Sequence, residues 1–284
     1  MPLMQRIKIM DRTMPDYSVT GDGPVTLFLL HGAFGAKEYW QSQLQAFSDL
    51  GLRIVAWDAP GYGASALPEG FSIELAAEAL THLIAREKTE TNLVLGHSMG
   101  GMVAIRAYDM MPEVIDGLIL SATSAAFGNS DGDWQQQFVA ARVAPLDAGK
   151  RLEEFAPAML RRMFAPDADH PATDLVIQVV SQMKPETFRA AISAITKFEA
   201  RDVLPKITVP TLCIAGAHDL SAAPPKVMEK MASKIAKGEY RCMDHVGHFG
   251  WAEDPKGFNA EIVDFLTQNI PAVAARVTQE VANA

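Results

Sequence analysis

The sequence is poor in cysteine, with two residues in 284, and neither Cys213 nor Cys242 lies in a metal-binding or redox motif. This excludes a small disulfide-stapled scaffold and favours two buried free thiols in apolar strands, as in a reducing compartment. The sequence also lacks an apolar run of the roughly 20 residues that a membrane helix needs. Its first residues lack the apolar core and small-residue cleavage site of a secretory signal. We therefore expect a cytoplasmic protein with no membrane partner.

The sequence also has fewer basic than acidic residues. Lys and Arg number 25 against 34 Asp and Glu, which gives a formal charge of −9. No basic stripe is present to neutralise phosphates, so we expect no nucleic-acid partner. Three histidines, His97, His245 and His248, lack the spacing of a zinc site, and no metal is expected. Apolar residues make up 49% of the chain, enough for a sizeable core. The sequence does not determine the oligomeric state, and it is compatible with a homodimer.

Short apolar runs alternate with longer helical patterns, which predicts βαβ units and a mostly parallel sheet in an α/β fold. The predicted buried strands are Val25–Leu30, Arg53–Trp57, Asn92–Leu95, Leu118–Leu120 and Thr211–Ala215. An opening pair of strands is predicted at Arg6–Met10 and Tyr17–Val19. The predicted helices are Ser72–Arg86 with Ser72 as N-cap, Met99–Met111, Pro225–Lys237 and Pro255–Gln268.

This alternation stops between two of the strands, in residues 125–201. Met- and Phe-rich helical segments follow one another there, at Trp134–Arg142, Lys150–Phe164, Thr173–Met183 and Pro185–Phe198. We therefore predict a core domain made of residues 1–124 and 202–284, with a helical cap inserted at 125–201.

A candidate nucleophile lies in Gly96-His97-Ser98-Met99-Gly100, between a predicted strand and an apolar helix. Gly-x-Ser-x-Gly in this context is typical of a sharp turn that raises the serine oxygen above a sheet. The helix that follows begins with unpaired amides and the positive end of its dipole, which suits an oxyanion. Ser98 is the predicted nucleophile, and the Met99 amide one oxyanion donor.

A second oxyanion donor is expected from the glycine-rich turn 31–35, which follows the strand Val25–Leu30. Open α/β sheets place their ligands at the carboxyl ends of strands. The Ala33 amide is the candidate donor, and the Phe34 amide is the alternative. A plain strand-to-helix connection would show the same residues.

The acid and the base are expected later in the chain, in that order. Asp219 follows the buried strand Thr211–Ala215 and is the predicted acid, although a cap of the next helix would also use it. His248 lies in a Gly-rich loop before a helix and is favoured over His245 as the base. Together these residues predict that Ser98 attacks a carbonyl, His248 takes its proton and Asp219 orients the imidazole. This chemistry requires no cofactor.

In order and spacing, these motifs resemble the α/β-hydrolase superfamily over almost the whole chain. They are His-Gly-x-x-Gly (31–35), Asp-x-Pro-Gly-x-Gly-x-Ser (58–65), Gly-His-Ser-Met-Gly-Gly (96–101), Gly-x-His-Asp (216–219) and Gly-His-Phe (247–249) with Glu253-x-Pro255. The resemblance implies an α/β-hydrolase fold with an eight-stranded, mostly parallel sheet and a helical cap after strand six. It also implies that residues 58–65 form a structural loop.

Within the superfamily, residues 159–224 are similar to 3-oxoadipate enol-lactonases and related carboxylesterases. A serine at 98 differs from the aspartate of dehalogenases and epoxide hydrolases and from the cysteine of dienelactone hydrolases. The resemblance implies a hydrolase that cleaves a small carboxylic ester or enol-lactone. Carbon–carbon hydrolases of meta-cleavage pathways share the cap but usually carry Asn where this chain has His97. Cofactor-free perhydrolases or haloperoxidases, and non-catalytic small-ligand receptors of this fold, are further alternatives.

Specificity is expected to reside in the cap and the adjoining loops. The candidate substrate-binding residues are Phe34, Trp134, Phe138, Arg161, Met163, Phe164 and Phe249. Aromatic and Met side chains suit an apolar acyl pocket, although the core of the cap is the more usual place for such residues. Arg161 and its neighbour Arg162 suit a substrate carboxylate, or else a solvated helix face.

Overall fold

The computed structural model describes residues 14–127 and 133–276. Their strands are β1 (Tyr17–Thr20), β2 (Val25–Leu30), β3 (Arg53–Trp57), β4 (Thr91–His97), β5 (Gly117–Ser121), β6 (Thr211–Gly216) and β7 (Gly238–Met243). They form one sheet in the order β1-β3-β2-β4-β5-β6-β7. β1 is antiparallel to β3, and the other neighbouring pairs are parallel. The chain thus builds the mostly parallel sheet that the alternating pattern predicts.

Helices connect these strands and cover both faces of the sheet. The core helices are α1 (Gln41–Ser48), α2 (Ile73–Glu87) and α3 (Met99–Met110), followed after the cap by α8 (Pro225–Ala232), α9 (Gly250–Glu253) and α10 (Pro255–Asn269). The predicted N-cap of α2 is confirmed, because the Ser72 hydroxyl accepts a hydrogen bond from the Leu75 amide at 3.2 Å. The helix α1 was not predicted from the sequence.

Two separate apolar cores form on the two faces of the sheet. Alternate side chains of β2 point to opposite faces, so Phe28 and Leu30 join one core while Leu27 and Leu29 join the other. All six residues of β2 are buried. A strand covered on both faces is expected to be apolar throughout, and this explains the uninterrupted run VTLFLL.

Four helices lie between β5 and β6: α4 (Trp134–Asp147), α5 (Leu152–Arg161), α6 (Pro171–Ser181) and α7 (Pro185–Ile195). Here they are called the cap helices. The apolar faces of α5, α6 and α7 are buried, whereas α4 has no fully buried side chain. Phe188 of α7 is fully buried, and its ring lies 5.8 Å from that of Phe34 in the loop after β2. This contact joins the cap helices to the loops at the carboxyl ends of the strands.

The register of the sheet decides which loops meet. Leu30 pairs with Gly96, His97 with Ser121, and Gly216 with Met243. The carboxyl ends of β2, β4, β6 and β7 therefore lie along one edge. The loops after these strands carry the predicted oxyanion turn, nucleophile, acid and base.

The strand count and one cysteine differ from expectation. The described residues form seven strands rather than eight, so the cap helices follow the fifth described strand; the strand predicted at Arg6–Met10 lies outside these residues. Cys213 is buried in β6 as predicted, but Cys242 is exposed. β7 is an edge strand that pairs with β6 alone, so an apolar-looking run does not ensure burial there. Within 14–127 and 133–276, no helix is long and apolar enough to cross a membrane.

Candidate active site

Ser98 sits at the turn between β4 and α3 in a backbone conformation that few residues adopt. Its φ is +52° and its ψ is −117°, and it is one of two non-glycine residues with positive φ in the described chain. Such a conformation is strained and persists only where its surroundings hold it. The Ser98 amide donates to the Ser121 carbonyl at 2.9 Å, and the Thr123 hydroxyl donates to the Ser98 carbonyl at 2.6 Å. These bonds to the end of β5 fix the turn.

The glycines around this turn are required by close backbone approach. A Cβ at Gly96 would lie 2.4 Å from the Gly100 carbonyl oxygen, which is closer than real Cβ contacts come. A Cβ at Gly32 would lie 3.1 Å from the Ser98 Cβ, so the glycine-rich turn after β2 lies directly against the serine. The motifs at 31–35 and 96–101 therefore form one local structure.

His248 and Asp219 form a buried pair at the same sheet edge. The His248 Nδ1–H donates to Asp219 Oδ2 at 2.6 Å, and the two side chains are 2% and 1% exposed. This bond leaves Nε2 as the unprotonated nitrogen of the neutral imidazole. The competing His245 is exposed and pairs with Asp254 at 2.8 Å. Of the two histidines, His248 is therefore the one that meets Asp219.

Asp219 is held in its charged form. Burial alone would raise its pKa, but the charge and hydrogen bond of His248 outweigh burial, and amide donors at Ala222 (3.0 Å) and Ala223 (3.1 Å) add to this effect. The pKa of Asp219 consequently lies below its ordinary value. The carboxylate therefore stays ionised at neutral pH and is suited to stabilising a protonated imidazole.

The predicted oxyanion donors lie on either side of Ser98. Ala33 is 3% exposed and lines the same cavity as Ser98 and His248. Met99 is the first residue of α3, so its amide has no acceptor within the helix. Tyr39 and Tyr62 stabilise the Ala33 turn: the Gly32 amide donates to the Tyr39 hydroxyl at 2.7 Å, and the Tyr62 hydroxyl donates to the Ala33 carbonyl at 2.9 Å. Two amides are thus available near the serine.

His31 has a structural place in this turn. It is fully buried, its Nδ1–H donates to the Gly32 carbonyl at 2.8 Å, and its Nε2 accepts from the Ala59 amide at 3.0 Å. Burial lowers its pKa, against the opposing hydrogen bond to Gly32. His31 therefore joins the turn after β2 to the loop after β3 as a neutral ring.

His97 is a neighbour of His248 that the sequence did not reveal. Its buried ring lies 4.8 Å from the ring of His248 and 5.9 Å from that of Trp251. Burial, reinforced by the nearby His248 and His31, lowers the pKa of His97 well below its ordinary value. A neutral His97 packs beside His248 without adding a second positive charge.

Glu253 connects the loop that carries His248 to the segment after α5. Its carboxylate accepts hydrogen bonds from the amides of Gly247 (2.9 Å) and Phe249 (3.0 Å), on either side of His248, and from Ala165 (2.7 Å). The His248 amide itself donates to the Met163 carbonyl at 2.7 Å. Burial raises the pKa of Glu253, and the three amides act in the opposite direction. The position of His248 therefore depends on Glu253 and on the segment after α5.

Ser98 and His248 open into a cavity of about 600 Å³ between the cap helices and the sheet edge. Of the predicted substrate-binding residues, Phe34, Phe138 and Met163 line it. A second cavity of about 650 Å³ lies on the other side of α4 and includes none of the predicted catalytic residues. The first cavity is the candidate active site because both Ser98 and His248 line it.

The other predicted pocket residues lie elsewhere among the described residues. Phe249 is 2% exposed and packs its ring 5.1 Å from Phe164, behind the base rather than in the cavity. Trp134 stacks on Phe127, with 5.0 Å between the ring centroids, and of these two residues Phe127 is the one that lines the cavity. Arg161 is exposed and lies outside the cavity, whereas its neighbour Arg162 is in the lining. Side chains of successive helical residues point about 100° apart, so the sequence alone does not show which of the two arginines faces the cavity.

Arg142 of α4 is a lining residue that the sequence analysis missed. It lies four residues after Phe138, so the two side chains share one face of the helix. That spacing is visible in the sequence, but the direction in which this face points depends on how α4 packs.

Comparison with known proteins identifies the family of this chain. Residues 27–261 match the model of the alpha/beta hydrolase family. A Variovorax paradoxus protein, provisionally described as the carbamate hydrolase RutD, is 30% identical over 91% of this chain and 98% of its own. A pimeloyl-[acyl-carrier protein] methyl ester esterase from Neisseria meningitidis serogroup A is 26% identical over 86% of this chain and 78% of its own. The crystal structure of the enol-lactonase from Burkholderia xenovorans superposes with a TM-score of 0.77, at 26% identity over 89% of this chain and 96% of that one. Because the family model covers most of its length, this chain belongs to the alpha/beta hydrolase family.

Proposed function

We propose that this protein is a serine hydrolase that cleaves small carboxylic esters or lactones through an acyl-enzyme intermediate. The observation that carries the proposal is the buried His248–Asp219 pair, whose histidine lines the same cavity as Ser98 at its strained turn. The named relatives support hydrolase activity in general, and an esterase and an enol-lactonase are among them. Both act on acyl–oxygen compounds, which is the chemistry that this constellation of side chains suits.

In the proposed reaction, the Ser98 hydroxyl attacks the acyl carbon while His248 Nε2 takes its proton. The carbonyl electron pair moves to oxygen, and the amides of Ala33 and Met99 stabilise the resulting oxyanion. When the carbonyl re-forms, the alcohol leaves with the proton from His248, and Ser98 remains acylated. Water then attacks the ester carbon, gives its proton to His248, and releases the acid and the free serine. Asp219 holds the imidazole in the required tautomer throughout.

The cavity supports a small and largely apolar acyl group. Its volume of about 600 Å³ lies within the usual range for small-molecule sites. Apolar side chains supply most of the lining, including Phe34, Phe155, Met159 and Ile192. Such a surface stabilises alkyl chains by removing them from water. The site therefore suits short to medium acyl chains.

Replacement of Glu253 by Ala is expected to lower kcat for p-nitrophenyl acetate by up to about 10²-fold. Without the carboxylate, the amides on both sides of His248 lose their acceptor, and the imidazole is free to shift away from Ser98. KM is expected to change less, because Glu253 is absent from the described lining of the cavity. Steady-state kinetics measures both constants.

Two variants calibrate this result. Glu253→Gln retains one carbonyl oxygen and is expected to fall between wild type and Glu253→Ala. Glu113→Ala removes an exposed carboxylate after α3 and is expected to match wild type. If Glu253→Ala raised KM and left kcat intact, the assigned role of Glu253 in positioning His248 would be wrong.

The proposed function is tested by covalent labelling of the nucleophile. Wild-type protein is incubated with a fluorophosphonate, which traps an activated serine, and the labelled peptide is identified by mass spectrometry. We expect stoichiometric label on Ser98, together with rapid hydrolysis of p-nitrophenyl esters. Absence of both label and turnover over a series of acyl lengths and lactones would contradict the proposal and favour a non-catalytic receptor. Turnover with the label on another residue would overturn the assignment of Ser98.

A further inference from the structure

One partly buried cation distinguishes the interior of the cavity. Arg142 of α4 lines the same cavity as Ser98 and His248, among aromatic and aliphatic side chains. The carbon of its guanidinium group lies 3.2 Å from the centroid of the Phe138 ring. Stacking of this kind fixes the plane of the guanidinium group and shields one of its faces from water.

The charge of Arg142 has no counter-ion among the described residues. Its Nη1 donates to the Phe138 carbonyl at 3.4 Å, and no described carboxylate forms an ion pair with it. The acidic residue in the cavity lining, Glu154, pairs instead with Arg151 at 3.7 Å. Burial lowers the pKa of Arg142 to about 10, so the group remains charged at neutral pH. A partly desolvated charge without a counter-ion is unfavourable, and a ligand that supplies the opposite charge reduces that cost.

Arg162 is the other cation in the lining, and its surroundings differ. It is exposed at the end of α5, where water solvates its charge. Exposed ion pairs contribute little to binding because solvent and salt screen them. Arg142 is therefore the cation with the larger gain from binding an anion.

We propose that Arg142 binds a carboxylate at the end of the substrate opposite to the ester or lactone group, so that the preferred substrate is an ω-carboxylated acyl compound. This inference rests on the proposed function and adds the substrate class to it. A carboxylate is planar and accepts two parallel hydrogen bonds from the edge of a guanidinium group. The intervening apolar lining suits the methylene chain that joins the two ends.

Matched esters test this assignment. The monomethyl esters of straight-chain dicarboxylic acids are compared with methyl esters of monocarboxylic acids of equal length. We expect the wild-type protein to prefer the hemiesters, with an optimum chain length set by the separation of Ser98 from Arg142. Arg142→Met is expected to lower the ratio of kcat/KM, hemiester over neutral ester, by about 10- to 100-fold. Arg142→Lys keeps the positive charge but lacks the paired N–H donors of the guanidinium group, and it is expected to retain part of the preference for hemiesters.

Two neighbouring arginines serve as matched controls. Arg161→Met removes an exposed charge outside the cavity, and Arg162→Met removes the exposed charge in its lining. Both are expected to keep most of the preference for hemiesters. A wild-type protein without that preference, or a preference that is lost in Arg162→Met and kept in Arg142→Met, would overturn the proposal.

A binding measurement separates this inference from the proposed function. Hexanoate and hexanamide are titrated into Ser98→Ala by calorimetry, and then into Ser98→Ala combined with Arg142→Met. We expect tighter binding of hexanoate than of hexanamide in the first protein and loss of that difference in the second. This result in a protein whose wild type cleaves no ester would support the anion site while the proposed function fails. Equal binding of the two ligands to Ser98→Ala would overturn the anion site even if esters are cleaved.

Discussion

Ser98→Ala is expected to lower kcat/KM for p-nitrophenyl acetate by about 10³- to 10⁶-fold. The variant lacks the oxygen that forms the acyl-enzyme, so only the oxyanion amides and substrate binding are left to accelerate attack by water. The fold is expected to be unchanged. Alanine retains the Cβ and therefore the same backbone strain at φ +52°, and the bonds to the Ser121 carbonyl and the Thr123 hydroxyl use only backbone atoms of residue 98. Stopped-flow or steady-state absorbance of p-nitrophenol measures the loss.

An exposed serine provides the control for this substitution. Ser233 follows α8, and its hydroxyl donates to the Lys230 carbonyl at 2.8 Å. Ser233→Ala is expected to hydrolyse the ester at the wild-type rate. Circular dichroism and thermal unfolding of Ser98→Ala are expected to match wild type, which separates a chemical loss from misfolding. Equal turnover by Ser98→Ala and wild type would reject Ser98 as nucleophile, whatever the fold.

The prediction of the fold from sequence succeeded because it relied on local signals. Gly96 to Gly101 follows a run of buried β residues and precedes an apolar helix, and a turn between such elements has few alternatives. In a parallel sheet, the loops after the strands all emerge at the same edge, so the sequence order of the motifs implies their proximity. The pairing of His97 with Ser121 and of Gly216 with Met243 is the register that this argument requires.

The contacts that the sequence did not predict are those between distant parts of the chain. Glu253 meets the Ala165 amide across 88 residues, and Arg142 faces the cavity because of the way α4 lies over the sheet edge. Neither contact has a periodic signature. Phe164 and Phe249 were expected in the pocket from their composition, yet they pack on each other behind His248. An aromatic side chain near a catalytic residue in sequence fits the core as well as it fits a pocket.

Asp219→Asn is expected to lower kcat for p-nitrophenyl acetate by about 10⁴-fold, or about 5 kcal/mol of barrier. In the wild-type protein, Asp219 Oδ2 accepts the Nδ1–H of His248 at 2.6 Å and leaves Nε2 free to take a proton. An asparagine that presents its NH₂ group there favours the other tautomer, with the proton on Nε2. It also provides no negative charge to stabilise the imidazolium. KM is expected to change little, because Asp219 is not among the described residues that line the cavity.

The exposed pair formed by His245 and Asp254 provides a matched control, because the same two side-chain types lie 2.8 Å apart there. Asp254→Asn keeps the side-chain oxygen that caps α10 through the Gly257 amide, so the helix is expected to remain intact. Its kcat is expected to equal that of wild type.

The pH dependence of folding stability adds a second test of the Asp219–His248 pair. The depressed pKa of Asp219 means that its ionised form stabilises the wild-type fold above its unfolded pKa, and that this stabilisation is lost as pH falls through the folded pKa. Urea unfolding as a function of pH is therefore expected to show a smaller loss of stability on acidification for Asp219→Asn than for wild type. An Asp219→Asn protein with wild-type kcat would show that the buried pair is structural and that another group orients the base.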